Sequence, residues 1–349
     1  MMKISLCMIV RDEIEMLPGC LESIAGAVDE AVIVDTGSTD GTDAWAKARA
    51  DVFVRFPWCD DFSAARNAAI EQATGDWILI VDADERLVTG REALRRACDD
   101  ASSVAWRIQV RDSSGSVWLT RLFRRRDDVR FRGRIHEQVT EDLQALGVPV
   151  EPLSGVTLEH HGYEPERFSA RGKRERNVRL LRRELEDQPD DPYLHYKLYQ
   201  ASGGDSAALE RAADLTLALE EFAFRRFALS DEILCAAAGH WLSKGLTSKA
   251  EAACERAMAA FGEHPALLTH LGTARNQRGD LAGAIQRFRR AWHLDPESGR
   301  FAVDVRAMRI HLAREYARAL IANGDHHVAA DVVRSLGQQL TSGRVAPAA

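Results

Sequence analysis

Two acidic residues separated by one alanine, Asp82 and Asp84, follow an unbroken apolar run from Trp77 to Val81 and precede Glu85. Carboxylates this close together at the end of a buried strand repel each other unless a cation offsets their charge. Hard oxygen ligands suit magnesium or manganese. The opposing reading is a set of acids at the N-terminal end of a following helix, where Asp and Glu are common.

A second acidic strand end is Ile33-Val34-Asp35-Thr36-Gly37-Ser38-Thr39-Asp40-Gly41-Thr42, in which small polar residues turn the chain from strand to helix. Asp35 is placed there to meet the base or ribose of a nucleotide. The string Val-Asp-Thr-Gly-Ser also matches the active-site turn of aspartic proteases. That fold is all-β, whereas Ala44 to Ala48 continues here as helix and no second copy of the turn occurs, so the protease reading is set aside.

The loop from Phe56 to Asp61 leads into Ser63-Ala64-Ala65-Arg66-Asn67. With Ser63 as N-cap, Arg66 falls in the first helical turn, where a cation opposes the helix dipole. A diphosphate facing that turn explains it, because guanidinium groups bind phosphate in a fork; the plain alternative is a solvated arginine. The basic run Arg121, Arg124, Arg125, Arg126, Arg130, Arg132 and Arg134 is interrupted by Asp127 and Asp128, which marks part of it as an ion-paired face. One or two of its members are candidates for the diphosphate or an acidic acceptor.

The elements that must position these residues follow from periodicity. Ile4 to Val10, Glu30 to Val34 and Val52 to Phe56 are apolar runs alternating with helical patterns over Leu17 to Ile24 and Asp43 to Ala50. That order is the signature of a parallel sheet with crossover helices. A helix over Ala64 to Gln72 then precedes the Trp77 to Val81 strand, which puts the acidic cluster at a strand's carboxyl end, where open α/β sheets bind ligands. From Ala105 to Val139, short arginine-rich strands with turns at Ser113-Ser114-Gly115 and Gly133 predict an antiparallel addition. A charged helix over Arg167 to Leu185 leads to Pro189-Asp190-Asp191-Pro192.

Beyond that point the chain reads as helical, with a repeat. Leu271, Gly272, Gly279, Ala284, Phe288, Ala291 and Pro296 have tetratricopeptide spacing, and one repeat length upstream stand Ala238, Gly245, Ala250 and Ala257. A third pair is expected around Ala317, Gly324 and Ala329, and a degenerate first pair over Tyr193 to Glu221. Stacked repeats build a concave surface used for binding or dimerisation. The boundaries that result are an α/β unit over 1–165, a helical linker over 166–192, a repeat domain over 193–340 and a disordered tail over 341–349.

The net charge of −7 argues against a dedicated nucleic-acid binder. Six cysteines, scattered singly, fit reduced thiols in a cytoplasm. No segment is apolar for long enough to span a membrane.

Taken in order, Ser-Leu-Cys-Met-Ile-Val-Arg-Asp-Glu, Val-Asp-Thr-Gly-Ser-Thr-Asp-Gly-Thr, Ser-Ala-Ala-Arg-Asn and Gly-Asp-Trp-Ile-Leu-Ile-Val-Asp-Ala-Asp-Glu resemble family 2 glycosyltransferases of the GT-A fold. The later strings Arg-Leu-Phe-Arg, Gly-Arg-Ile-His-Glu-Gln-Val and His-His-Gly-Tyr, followed by tetratricopeptide units, are similar to the bacterial sublancin-type peptide S-glycosyltransferase subgroup. The resemblance implies Asp12 and Asp35 at the nucleobase and ribose, Arg66 and Asp82 near the donor, and Asp84 on a magnesium or manganese ion. Thr36 stands where many members carry a second acid, which leaves open which acid meets the base.

Family 2 enzymes usually invert configuration, which requires a base for the acceptor's proton. Glu137 in Arg134-Ile135-His136-Glu137 is the candidate, with His136 to orient it, against the alternative of a strand-end acid paired with a neighbouring arginine. His160 and His161 are candidates for the nitrogen ligand that many GT-A enzymes supply, and His161 is preferred. The expected donor is a UDP-sugar or similar nucleotide sugar. The acceptor is a peptide, through Cys or Ser/Thr, gripped by the repeat domain, which alternatively pairs two subunits. A cell-envelope or lipid-linked glycan is the second enzymatic reading, and a non-catalytic tetratricopeptide scaffold the reading from another class.

Overall fold

The computed structural model describes residues 2–99, 105–112, 115–161, 170–295 and 304–342. The expected turn at Ser113-Ser114, the Gly162-Tyr163 end of the later strings, the start of the charged helix at Arg167, Pro296 and residues 343–349 of the tail lie outside those. The chain divides into two compact units, Met1–Glu184 and Leu185–Ala349.

In the first unit the order is β1 (Ile4–Val10), α1 (Leu17–Ile24), β2 (Glu30–Asp35), α2 (Thr42–Lys47), β3 (Val52–Arg55), α3 (Phe62–Gln72), β4 (Trp77–Ile80), β5 (Glu85–Thr89) and α4 (Arg91–Asp99). There follow β6 (Ala105–Asp112), β7 (Gly115–Arg124), α5 (Thr140–Ala145), β8 (Val150–His160) and α6 (Ala170–Asp187). The strands form one sheet in the order β3-β2-β1-β4-β7-β6-β8-β5. The half built from β3, β2, β1 and β4 is parallel.

The central strands are apolar at nearly every position because both of their faces are covered, as parallel sheets require. Successive side chains of a strand point to opposite faces. Ile4, Leu6, Met8 and Val10 therefore pack with Trp77 and Leu79 against Leu17, Cys20 and Leu94 of α1 and α4. Cys7, Val32, Val34, Ile78 and Ile80 go to the other face, against Ala69 and Ile70 of α3 and Leu143 of α5. The result is a three-layer helix–sheet–helix arrangement.

The predicted antiparallel addition is present in β7, which runs antiparallel to both β4 and β6. It does not extend to Val139. Between Arg125 and Val139 the described chain keeps a single bridge, Arg132 to Gln138, because Gly133 and His136 take positive φ values of 94° and 57° that interrupt extended backbone. The strands β5 and β8, which pair antiparallel at the sheet's other edge, were not expected. Two details of α3 also differ from expectation. Asp61, not Ser63, is its N-cap and accepts from the Ala64 N–H, so Arg66 lies beyond the first turn and the dipole argument for it falls.

The second unit consists of helices α7 (Pro192–Ser202), α8 (Ser206–Ala218), α9 (Glu221–Arg226), α10 (Ser230–Ser243), α11 (Thr247–Phe261), α12 (Pro265–Gln277), α13 (Leu281–His293), α14 (Val305–Ala322) and α15 (His326–Ser342). The pairs α10–α11, α12–α13 and α14–α15 coincide with the repeats read from the sequence, and α7–α8 is the degenerate first pair. Their small residues are core: Ala238, Ala250, Ala257, Ala284 and Ala291 are fully buried with Phe288. Gly272 shows why the aromatic needs a small partner, since a Cβ there would sit 2.6 Å from the Phe288 ring. Gly279 supplies the turn between α12 and α13 at φ +84°, a left-handed conformation open to glycine. In this unit arginines close helix ends. Arg309 donates to the Trp292 and Leu294 carbonyls at 2.7 and 2.9 Å, satisfying acceptors that the end of α13 leaves open.

Candidate active site

Four chain segments converge at the carboxyl end of the parallel strands. The loop after β1 brings Arg11, Asp12 and Glu13, and the loop after β4 brings Asp82, Ala83 and Asp84. Helix α3 contributes Phe62 and Arg66, and the segment before α5 brings Ile135, His136 and Glu137. With His160 at the end of β8 and Lys173, Arg176 and Asn177 of α6, they line a cavity of about 620 Å³. Asp12 and His136 hold left-handed backbone, at φ 54° and 57°. Asp and His tolerate that region better than most residues, and conformations of this kind collect at functional sites.

Arg66 is the hub of the cavity wall. Its Nε donates to Glu137 Oε1 at 2.5 Å and its Nη2 to Asp82 Oδ1 at 2.9 Å. The second oxygen of Asp82 accepts from Arg121 Nη2 at 2.9 Å. Burial works against the Asp82 charge, but Arg66 and Arg121 outweigh it and hold the carboxyl well below the usual range. Arg66 Nη1 is buried without a hydrogen-bond partner.

Asp84 is set apart from this network. Its Oδ2 lies 3.1 Å from His160 Nε2, and its carbonyl accepts from the His161 N–H at 2.8 Å. The hydrogen bond to Asp84 raises the His160 pKa, with burial opposing. The His161 side chain is exposed and does not line the cavity, so of the two histidines it is His160 that faces the acid. Among the described residues no three His, Cys, Asp or Glu side chains gather as a ready metal cage. One carboxylate oxygen and one imidazole nitrogen side by side are nevertheless donors that suit manganese or magnesium when a ligand's phosphate oxygens and water complete the sphere.

The acid of the β2 turn takes a different place. Asp35 Oδ1 accepts from the N–H groups of Gly37 and Ser38 at 3.0 Å each, so it braces the turn. Its Oδ2 is buried without a partner, and Thr36 rather than Asp35 lines the cavity. Asp12 Oδ1 accepts from the Thr39 N–H at 2.6 Å, tying the first strand's loop to the second's.

Several cavity residues escaped the sequence reading. Glu13 is one: burial foremost, then the charge of Asp84, pushes its carboxyl up to about 7. Its signal was available, since Arg11-Asp12-Glu13 ends a buried strand just as Asp82 to Glu85 does. Lys173 and Arg176 sit on α6, which reads as a charged linker. Pairing of Asp60 with Arg179 at 2.7 Å and Arg183 at 3.2 Å, and of the Arg134 N–H with Glu184 at 2.7 Å, fastens that helix to the α/β unit. Such long-range pairs leave no local pattern. Arg121 belongs to the expected basic run but is buried, facing carboxylates instead of solvent.

The chain thus joins an α/β sheet with acids at the end of its fourth strand to helical repeats that follow it in the sequence. Residues 5–148 match the model of glycosyl transferase family 2, and the N-terminal unit is a domain of that family. A TPR repeat-containing protein of Synechococcus elongatus is 38% identical over 302 residues, covering 83% of this chain and 66% of that protein. The SPbeta prophage-derived glycosyltransferase SunS of Bacillus subtilis is 29% identical over 193 residues, covering 53% of this chain and 45% of its own. The lipopolysaccharide core biosynthesis glycosyltransferase LpsC of Rhizobium meliloti is 35% identical over 115 residues, 31% of this chain and 42% of that one. The chain thus spans about two thirds of the first relative and under half of the other two. Among the described residues no helix is long and apolar enough to cross a membrane.

Proposed function

We propose that this chain is an inverting glycosyltransferase that moves a sugar from a nucleoside diphosphate, UDP in the first instance, to a peptide side chain. The observation that carries the reading is the junction of the Asp82–Arg66–Glu137 network with Asp84 and His160 on one cavity at the carboxyl end of the parallel strands. That edge is where open α/β sheets bind nucleotides.

Asp84 and His160 would hold the divalent ion, which supplies charge to offset the departing diphosphate. Arg11, Lys173 and Arg176 give the cavity a cationic side suited to phosphate, and Arg66 Nη1 is a donor still to be used. Asp12 would meet the nucleoside from the cavity wall, and Asp35 would act indirectly through the turn it braces. The acceptor's heteroatom bonds to the anomeric carbon as that carbon's bond to the diphosphate oxygen breaks. The nucleoside diphosphate leaves with the bonding pair, and the acceptor's proton passes to the Glu137 carboxylate, with His136 beside it. Arg66, shared between Glu137 and Asp82, aligns the base with the donor side.

The repeat unit supports a peptide acceptor, because stacked tetratricopeptide pairs present a concave binding surface. Similarity to LpsC favours a second reading, transfer to a cell-envelope glycan, with the same donor site. A panel of nucleotide sugars incubated with the protein and manganese tests the shared part of both readings, since slow hydrolysis of the donor needs no acceptor. If no nucleotide sugar is hydrolysed and no nucleoside diphosphate binds, both fall and a scaffold role replaces them.

A further inference from the structure

Asp82 is held from four directions. Arg66 Nη2 takes its Oδ1 and Arg121 Nη2 its Oδ2, both at 2.9 Å, while its N–H donates to Glu85 Oε2 at 2.9 Å and its carbonyl accepts from the Glu85 N–H at 3.0 Å. The same Arg121 Nη2 reaches Glu85 Oε1 at 2.8 Å. Arg121 and Glu85 are 7% and 2% exposed, so neither lines the cavity or offers itself to a ligand. Their placement is set by the sheet. Register Leu79 to Leu122 between β4 and β7 leaves Arg121 opposite the tip of β4, one step from the loop that carries Asp82.

A buried ion pair of this kind seldom exists for stability alone, since desolvating both charges costs about as much as their attraction returns. What it does supply is orientation. The Asp82 side chain keeps 32% of its surface exposed, and a carboxylate has about four acceptor sites, of which two are filled here. Both of its oxygens already accept from guanidinium groups, so a divalent cation is better placed at Asp84, whose Oδ2 lies beside His160.

We propose that Arg121 and Glu85 are positioning residues that fix Asp82 as a hydroxyl acceptor for the donor's sugar, apart from the cation and the diphosphate. This rests on the glycosyl-transfer reading of the site. A pair that positions Asp82 controls recognition of the sugar; a pair that only stabilises the fold does not discriminate between a nucleotide and its sugar conjugate.

The test compares wild type, Arg121→Lys and the double variant Arg121→Met/Glu85→Gln in the full chain. The double variant removes both buried charges together, which avoids stranding one of them; Arg121→Lys keeps the charge but not the planar guanidinium whose Nη2 bridges Asp82 and Glu85, and it serves if the double variant fails to fold. For each, calorimetry gives the affinities for UDP, for the UDP-sugar hydrolysed fastest by wild type, and for manganese. The expected result is a loss of at least about 10-fold in UDP-sugar affinity and in kcat, with UDP and manganese affinities within about two-fold of wild type, as expected for lost hydrogen bonds to a charged group. Unchanged UDP-sugar affinity, or a parallel fall in UDP, manganese and UDP-sugar affinities, overturns the positioning role while leaving glycosyl transfer standing. A wild type that binds neither UDP nor any other nucleoside diphosphate removes the transfer reading, and this inference with it.

Discussion

Arg66 and Glu137 form an ion pair at 2.5 Å although 71 residues separate them, and the same guanidinium reaches Asp82. The pair joins the residue expected to take the acceptor's proton to the acid expected beside the donor. Glu137 thus pairs with a cavity-lining arginine from α3 and not with a member of the neighbouring basic run.

Replacing that carboxylate separates chemistry from binding. Glu137→Gln keeps size and one acceptor for Arg66, and it is expected to lower transfer or donor hydrolysis by roughly 100-fold or more, the scale of general-base catalysis. UDP affinity should stay within about two-fold. Full turnover in this variant would remove Glu137 from the base role.

The histidines can be told apart by their cation dependence. His160→Ala and Asp84→Asn should each weaken manganese binding by about 10-fold or more, whereas His161→Ala should leave it near wild type, because only His160 faces Asp84. Manganese titration of hydrolysis checks all three. The reverse order of effects would restore His161 as the ligand.

Stability at low pH has an identified contributor far from the cavity. Burial opposes the Glu30 charge, but hydrogen bonds from Ser5, Thr74 and Lys3 prevail and lower its pKa to about 2. A carboxyl depressed in the folded state stabilises above its ordinary pKa, and the contribution fades as pH falls from about 4.5 to about 2. Between pH 5 and pH 3 this group alone should account for roughly 2 kcal/mol of lost stability. Urea unfolding at both pH values should show that loss in wild type and a smaller one in Glu30→Gln; equal losses would refute the assignment.

In the repeat unit, Gly272→Ala should cost about 1–3 kcal/mol, because the new methyl group meets the Phe288 ring in a core that cannot give way freely. Phe288→Leu opens space at that crossing, so the double variant should lose less than the sum of the two single changes. Additive losses in thermal unfolding would mean that the two residues do not share the crossing.

Local pattern made much of this molecule legible. Buried strands announce themselves by apolar runs, helix pairs by small residues at tetratricopeptide spacing, and the acidic cluster by its place after Trp77 to Val81. These signals are short-range, because side-chain direction and turn conformation depend on near neighbours. For that reason β1, α1, the carboxyl-end position of Asp82 and Asp84, and the three main repeat pairs were readable in advance.

What the linear order could not convey is who faces whom. Arg121 and Arg126 look equivalent in the chain, yet one lies buried between Asp82 and Glu85 while the other pairs with Asp128 at the surface. Adjacent His160 and His161 differ in that His160, the last residue of β8, faces Asp84 while the His161 side chain is exposed just beyond the strand. Helix α6 enters the cavity wall through pairs with Asp60, 119 and 123 residues away, and with Arg134, 50 residues away. The sequence by itself determined most of the elements and the chemistry at their ends; partners across the sheet, such as the two arginines that hold Asp82 and the histidine beside Asp84, were decided by tertiary packing, because charge pairing depends on distance in space and not along the chain.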